Sequence, residues 1–196
     1  STPSNSSAAS DVYKRQGFLR RIMEDPRTDE LETPVVFGGI YDPEATLLCR
    51  DKVGQELTLT FGAKFDRSSS VPITAKGTVL AYIKGWNKFH GVGDIALFRS
   101  CGVDIVLSEN HIGYGLPAVF GDLGRNPADM QIVVCKLGYL TAQQAAYAKR
   151  SIMALSKGST NEDLTSLDYR HIPRPIFPLD TDFLFEPAEN LIRKTK

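Results

Sequence analysis

The sequence predicts an α/β protein on a mixed sheet, with α+β as the other reading of the same elements. Three observations lead there. Short apolar runs beside helix-type patterns occur near both ends, residues 55–109 alternate polar and apolar, and prolines crowd the chain after Asp168. A chain of 196 residues with 42% apolar side chains has the material for a core, burying roughly 70% of its unfolded surface.

Ser1 to Gln16 stands apart. Five serines and no apolar periodicity leave it little to place in a core, and it lacks the apolar stretch of a signal peptide. Its SAASDVYKRQ portion resembles a translated sequencing adapter at the broken end of a metagenomic reading frame; a natural flexible tail is the alternative. On the adapter reading, native sequence begins at Gly17 and the true N-terminus is missing.

From Gly17 the elements follow in order. Phe18, Leu19, Ile22 and Met23 have the spacing of an amphipathic helix that Asp25-Pro26 ends. Pro34 to Ile40 reads as a buried strand. Asp42, Pro43 and Glu44 then supply an N-cap, a first-turn proline and a first-turn acid for a helix expected to stop near Gly54. Glu56–Phe61, Ile73 to Val79, Asp94 to Phe98 and Val103 to Leu107 read as half-buried strands of an antiparallel meander. Ser100-Cys101-Gly102 makes a hairpin turn, and residues 85–93 (GWNKFHGVG) read as a mobile loop. Met130 to Cys135 is expected as a strand, Thr141 to Arg150 as a helix, and Ser151 to Leu155 as a short strand or helix extension. Pro173, Pro175, Pro178 and Pro187 predict an extended surface strap.

Charge and composition exclude several functions. Twenty-three basic residues balance 23 acidic ones, against the basic excess of a generic nucleic-acid binder. Lys84 and Lys88 near Trp86 and Phe89 therefore read as an ordinary solvated loop. No apolar run approaches the ~20 residues that span a bilayer. Cys49, Cys101 and Cys135 are scattered, which fits reduced, buried thiols in a cytoplasmic protein. His90, His111 and His171 are isolated, so no metal constellation is written in the sequence. Neither a GxSxG elbow nor a phosphate-binding glycine loop occurs, and Cys135 sits in an apolar run where a thiol is inert packing. Two features stand out. Lys136 ends the run QIVVCK, putting a cation at the carboxyl edge of a sheet, where it either meets a ligand or snorkels to water. In the proline-rich strap, Arg174 and Asp180 can make directed ion pairs, by packing the strap on its own domain or by gripping a partner domain.

Four segments together carry a resemblance. Gly39 to Ala45 (GIYDPEA), Gly102 to Leu107, Asn126 to Asp129 with Gln131 to Lys136, and Arg174 to Asp180 (RPIFPLD) resemble the C-terminal domain of the MlrC-like microcystin-degradation metallopeptidases. Their order matches across roughly Gly17 to Asp180. The resemblance implies a two-domain, zinc-dependent amide hydrolase whose metal ligands lie in a larger N-terminal domain that this chain lacks. Family members often follow the strand lysine with Ser and a His-Phe-Arg segment; here Lys136 leads into Leu-Gly-Tyr-Leu-Thr-Ala142, so microcystin is not carried over as substrate.

The expected organisation is a tail over residues 1–16, an MlrC-like C-terminal domain over 17–180 and a second tail over 181–196. Its expected role is accessory, completing or covering a cleft or assisting assembly, and inactive alone. Lys136, Arg174 and Asp180 are the candidate substrate or domain contacts, and the expected partners are the chain's own metal-binding domain and a small peptide-like substrate. A homo-oligomer is compatible with this. The rival is a stand-alone, non-catalytic α/β binding or oligomerisation module, and a small metal-free hydrolase ranks below both.

Overall fold

The amphipathic start forms a helix, α1 (residues 17–24), which buries Leu19 and packs Ile22 and Met23 on the same cluster. Asp25 ends it and caps the 3-10 turn Pro26–Thr28, its side chain accepting from the Arg27 amide at 3.0 Å. The computed structural model describes residues 17–64, 71–88, 91–114, 117–135, 140–153 and 163–184. The chain divides into two units, Ser1–Thr160 and Asn161–Lys196.

The apolar run after Pro34 becomes β1 (Val35–Tyr41), buried almost throughout. A strand covered on both faces reads as a continuous apolar run, not an alternation. Asp42 then caps α2 (Pro43–Leu48), accepting from the Ala45 amide at 3.0 Å. This helix ends at Cys49, short of the expected Gly54. The reason is local: Leu47 and Leu48 face solvent, and Asp51 (φ 57°) and Gly54 (φ 82°) take left-handed backbone that a helix cannot continue.

The meander forms as β2 (Glu56–Phe61), β3 (Ile73–Lys88), β4 (Gly91–Ser100) and β5 (Val103–Ser108), each antiparallel to the next. Two expectations need correction. Residues 85–88 and 91–93 are not a loop but the end of a long β3–β4 hairpin, whose two register shifts let the pair extend past Ile83. Trp86 is the cause, since it is buried inside the second core cluster. Cys101 is exposed, because it forms the β4–β5 turn with φ 48° beside Gly102 at φ 67°.

The later elements are shorter than their patterns promised. The helix α3 (Ala118–Asp122) was not anticipated. β6 is only Val133–Val134; Met130 to Ile132 enter it as irregular chain, with the Ile132 carbonyl accepting from the Val36 amide at 3.0 Å. α4 (Ala142–Ala145) is one turn held by a capping box between Thr141 and Gln144. Past it Ala146, Lys149 and Arg150 are exposed, and propensity without a buried face does not sustain a helix. Ser151 to Met153 is irregular and exposed; Ala154 and Leu155 lie outside the described residues.

The sheet has six strands in the order β2-β3-β4-β5-β1-β6, with β1 parallel to both β5 and β6. It is the mixed α/β sheet expected. Alternate residues serve opposite faces: Val35, Phe37, Ile105 and Leu107 join α1 and α2 in one core, while Val36, Val106, Trp86 and Phe120 make the other. In the second unit, residues 163–184 are not an extended strap. They hold a 3-10 turn at Leu164–Ser166 and, further on, a chain reversal in which the Asp180 amide donates to the Ile176 carbonyl at 2.9 Å. Pro187 lies outside the described residues.

Glycine is required where strands press together. A Cβ on Gly77 would lie 2.1 Å from the Arg99 carbonyl oxygen and 2.7 Å from Phe98 Cζ. Gly77→Ala is expected to cost about 2 kcal/mol or more, a fall in Tm of roughly 4–8 °C for a chain of this size. Gly121→Ala, where an added Cβ meets nothing within 4 Å, is the control and should hold or slightly raise Tm in the same thermal scan.

Candidate functional site

The carboxyl ends of β1, β5 and β6 share one edge of the sheet, the edge where ligands gather in α/β folds. Lys136, the cation predicted there, lies outside the described residues. The described groups at this edge are carboxylates with their oxygens already engaged. Asp42 is fully buried; besides capping α2 it accepts from the Gly62 amide at 2.9 Å, and Lys64 Nζ lies 3.8 Å away. Burial pushes its carboxyl above the usual range despite those amides.

Asp94 follows the same pattern. It accepts from Arg50 Nη2 at 2.7 Å, from the Gly85 amide at 2.8 Å and from the Tyr82 hydroxyl. Burial pushes this carboxyl up, but the Tyr82 and Arg50 hydrogen bonds outweigh it and hold the group below the ordinary value. Glu109 in turn accepts from the Asp94 amide at 2.8 Å.

The opposite face holds a cluster that the sequence pattern did not announce. Asp104, the second residue of β5, is fully buried between two guanidinium groups. Arg99 grips it through Nε at 2.6 Å and Nη2 at 2.9 Å, and Arg125, just past α3, donates from Nε at 2.5 Å. Spaced irregularly and matching no motif, these three are found only once β4, β5 and α3 are assembled. An open groove of about 470 Å³ lies beside them, lined by Arg125 with Pro117, Ala118, Gly121, Gly124 and Pro127.

Other candidates resolve into structure. Trp86 is buried and donates its indole N–H to Asp122 at 2.9 Å, and Lys88 pairs with the same carboxylate, so the pair ties the hairpin to α3. That corrects the solvated-loop reading. Burial pushes the thiols of Cys49 and Cys135 up to about 11, which keeps both protonated and unreactive. His111 and His171 are exposed, and His90 lies outside the described residues. Among the described residues no three His, Cys, Asp or Glu side chains converge as a metal site requires. In the second unit, Arg174 and Asp180 face each other: Arg174 Nε reaches Asp180 Oδ2 at 2.5 Å, a second guanidinium nitrogen bonds Oδ1, and the Ile176 amide donates to Oδ2 at 2.8 Å.

Fold and cluster together define the class, a mixed α/β domain whose six-stranded sheet joins a parallel half to an antiparallel one. Within that class the chain belongs to the family described as MlrC C-terminus, which matches residues 11–171. A crystal structure from Mesorhizobium sp. BNC1, designated a candidate metallopeptidase, is similar in fold with a TM-score of 0.57 at 21% sequence identity. The likeness covers 81% of this chain and 34% of that one, so the chain spans about a third of that protein's length. No curated protein matches the chain.

Two outcomes test the geometry. Asp104→Asn removes the counter-charge of two guanidinium groups and should cost about 3 kcal/mol in a denaturant titration. Arg174 holds the Asp180 carboxyl down at about 2 against an ordinary 3.8. Its contribution is therefore complete above the ordinary value and is lost as pH falls through about 2. A carboxyl-detected NMR titration should find that midpoint, and Arg174→Gln should return it towards 3.8.

Proposed function

We propose that this chain acts as the C-terminal domain of an MlrC-type metallopeptidase, a hydrolase of peptide-like amide bonds. The observation that carries the reading is the family match over residues 11–171. On this reading the metal, zinc, sits in an N-terminal domain of the intact protein, where it lowers the pKa of a bound water. The present domain is accessory: it completes or covers the cleft, or assists assembly, and is inactive alone. The engagement of Asp42, Asp94 and Asp104 by backbone amides and cations supports this, since each would surrender a structural bond to bind a metal. The described residues do not fit a zinc site of their own.

Lys136, following Cys135 directly, is assigned the electrostatic contact to substrate or partner domain, and Arg174 with Asp180 fixes the C-terminal turn. The substrate is a small peptide-like molecule and the setting cytoplasmic. Zero net charge argues against nucleic acid. Among the described residues no helix is long and apolar enough to cross a membrane.

The test is hydrolysis of a chromogenic peptide anilide with zinc supplied. The chain alone should show no turnover above buffer. Fusion to the N-terminal domain of an MlrC-type metallopeptidase should give turnover that a chelator abolishes. Zinc-dependent turnover by the chain alone would falsify the accessory reading. In the fusion, Lys136→Ala should lower kcat/KM about tenfold, the loss of ~1.4 kcal/mol in the transition state, at unchanged Tm. Unchanged kinetics would remove Lys136 from the site.

A further inference from the structure

We propose that the groove beside Arg125 is a binding site for a small organic carboxylate, independent of any metal chemistry. The charge balance comes first. Arg99 and Arg125 share one buried carboxylate, Asp104, and the Arg125 side chain, 24% exposed, also lines the groove, while Asp129 in the adjoining turn is held by the Asn126 amide.

Donor geometry follows. Arg125 spends Nε on Asp104 and Nη1 on the Gly124 carbonyl at 3.0 Å, and its Nη2 has no protein partner among the described residues. Held by two bonds, this guanidinium presents its remaining donors in a fixed plane, so an incoming carboxylate orders little further. Asn126, which also lines the groove, donates one amide hydrogen to Asp129 and accepts from the Ala128 amide, so its side chain is oriented by its own turn.

Shape sets the size of the ligand. Pro117, Ala118 and Pro127 give apolar walls, and Gly121 and Gly124 leave the floor without side chains, in a space of about 470 Å³. That arrangement accommodates the carboxylate of an acylated amino acid or very short peptide, with its apolar part against the prolines.

The experiment is an amide-resonance NMR titration of the full chain with N-acetylglycine, with neutral N-acetylglycinamide as the matched control. Saturable shifts confined to residues 117–127 with the acid, and none with the amide, are expected. Added salt should weaken the binding. Arg125→Gln should weaken it by about tenfold or more. Because that variant also disturbs Asp104, Gly121→Leu is the second test. An added Cβ there meets nothing within 4 Å, so the leucine fills the groove while leaving the arginine pair in place, and binding should vanish in a folded protein. Equal response to acid and amide, no saturable shift, tighter binding of inorganic phosphate, or full binding by folded Gly121→Leu would each overturn the assignment.

Discussion

The parallel pairing of β1 with β5 is the constraint on which the larger unit depends. The ladder runs from Val35 opposite Val103 to Tyr41 opposite Ser108, and every residue of β5 is buried. Parallel neighbours need a crossover, and here α2 and most of the meander together form it: the chain leaves β1 through α2, passes down β2, β3 and β4, and returns as β5. Because β1 and β5 are covered on both faces, each alternate residue commits to one of two cores. Gly38 shows how tight that commitment is. A Cβ there would fall 2.6 Å from Tyr114 Cδ1 and 2.9 Å from Phe120 Cζ, so the second core closes on the bare backbone of β1.

Placing a carboxylate inside such a strand pair is costly unless it is fully engaged. Asp104 meets that condition with one guanidinium from its own hairpin and one from beyond α3. The arrangement links β5 to a segment with little secondary structure of its own. α3 spans five residues and has no side-chain cap, so tertiary bonds through Arg125 and through Asp122 to Trp86 hold it in place. The position of the groove is thus a consequence of how the sheet engages the buried Asp104 carboxylate.

Legibility in the sequence followed the range of the interactions. β1, the Asp42 cap and the four meander strands were readable because each is set by neighbours two to four residues away. The end of the β3–β4 hairpin was misread because its glycines resemble a loop, while the burial of Trp86 against Asp122 is 36 residues distant. β6 and α4 are shorter than expected for the opposite reason: their apolar and alanine-rich patterns are real, but only Val133–Val134 reach the β1 ladder and no buried face carries α4 past Ala145. The same holds for the Arg174–Asp180 turn, where prolines imply extension and an ion pair bends the chain back. Of the candidate site, the Asp42 cap was visible and the Arg99–Asp104–Arg125 cluster was not, since nothing local marks a residue whose partners are assembled by topology.

The state of the carboxylates bears directly on what this edge of the sheet can do. A metal ligand needs a deprotonated oxygen with lone pairs to spare. Asp42 is poorly suited: burial shifts its carboxyl towards the protonated form, and each oxygen already accepts a backbone amide. Recruiting it would release the cap of α2, worth about 1 kcal/mol, and loosen the turn at Gly62. Asp94 is ionised, yet its oxygens hold Gly85, Arg50 and Tyr82 together at the base of the hairpin. Groups used in this way make an edge rigid and fix where neighbouring side chains are presented. That is the chemistry of a surface that orients a substrate or partner, and it assigns the described acids to architecture, while Arg125 keeps a guanidinium nitrogen with no partner among the described residues.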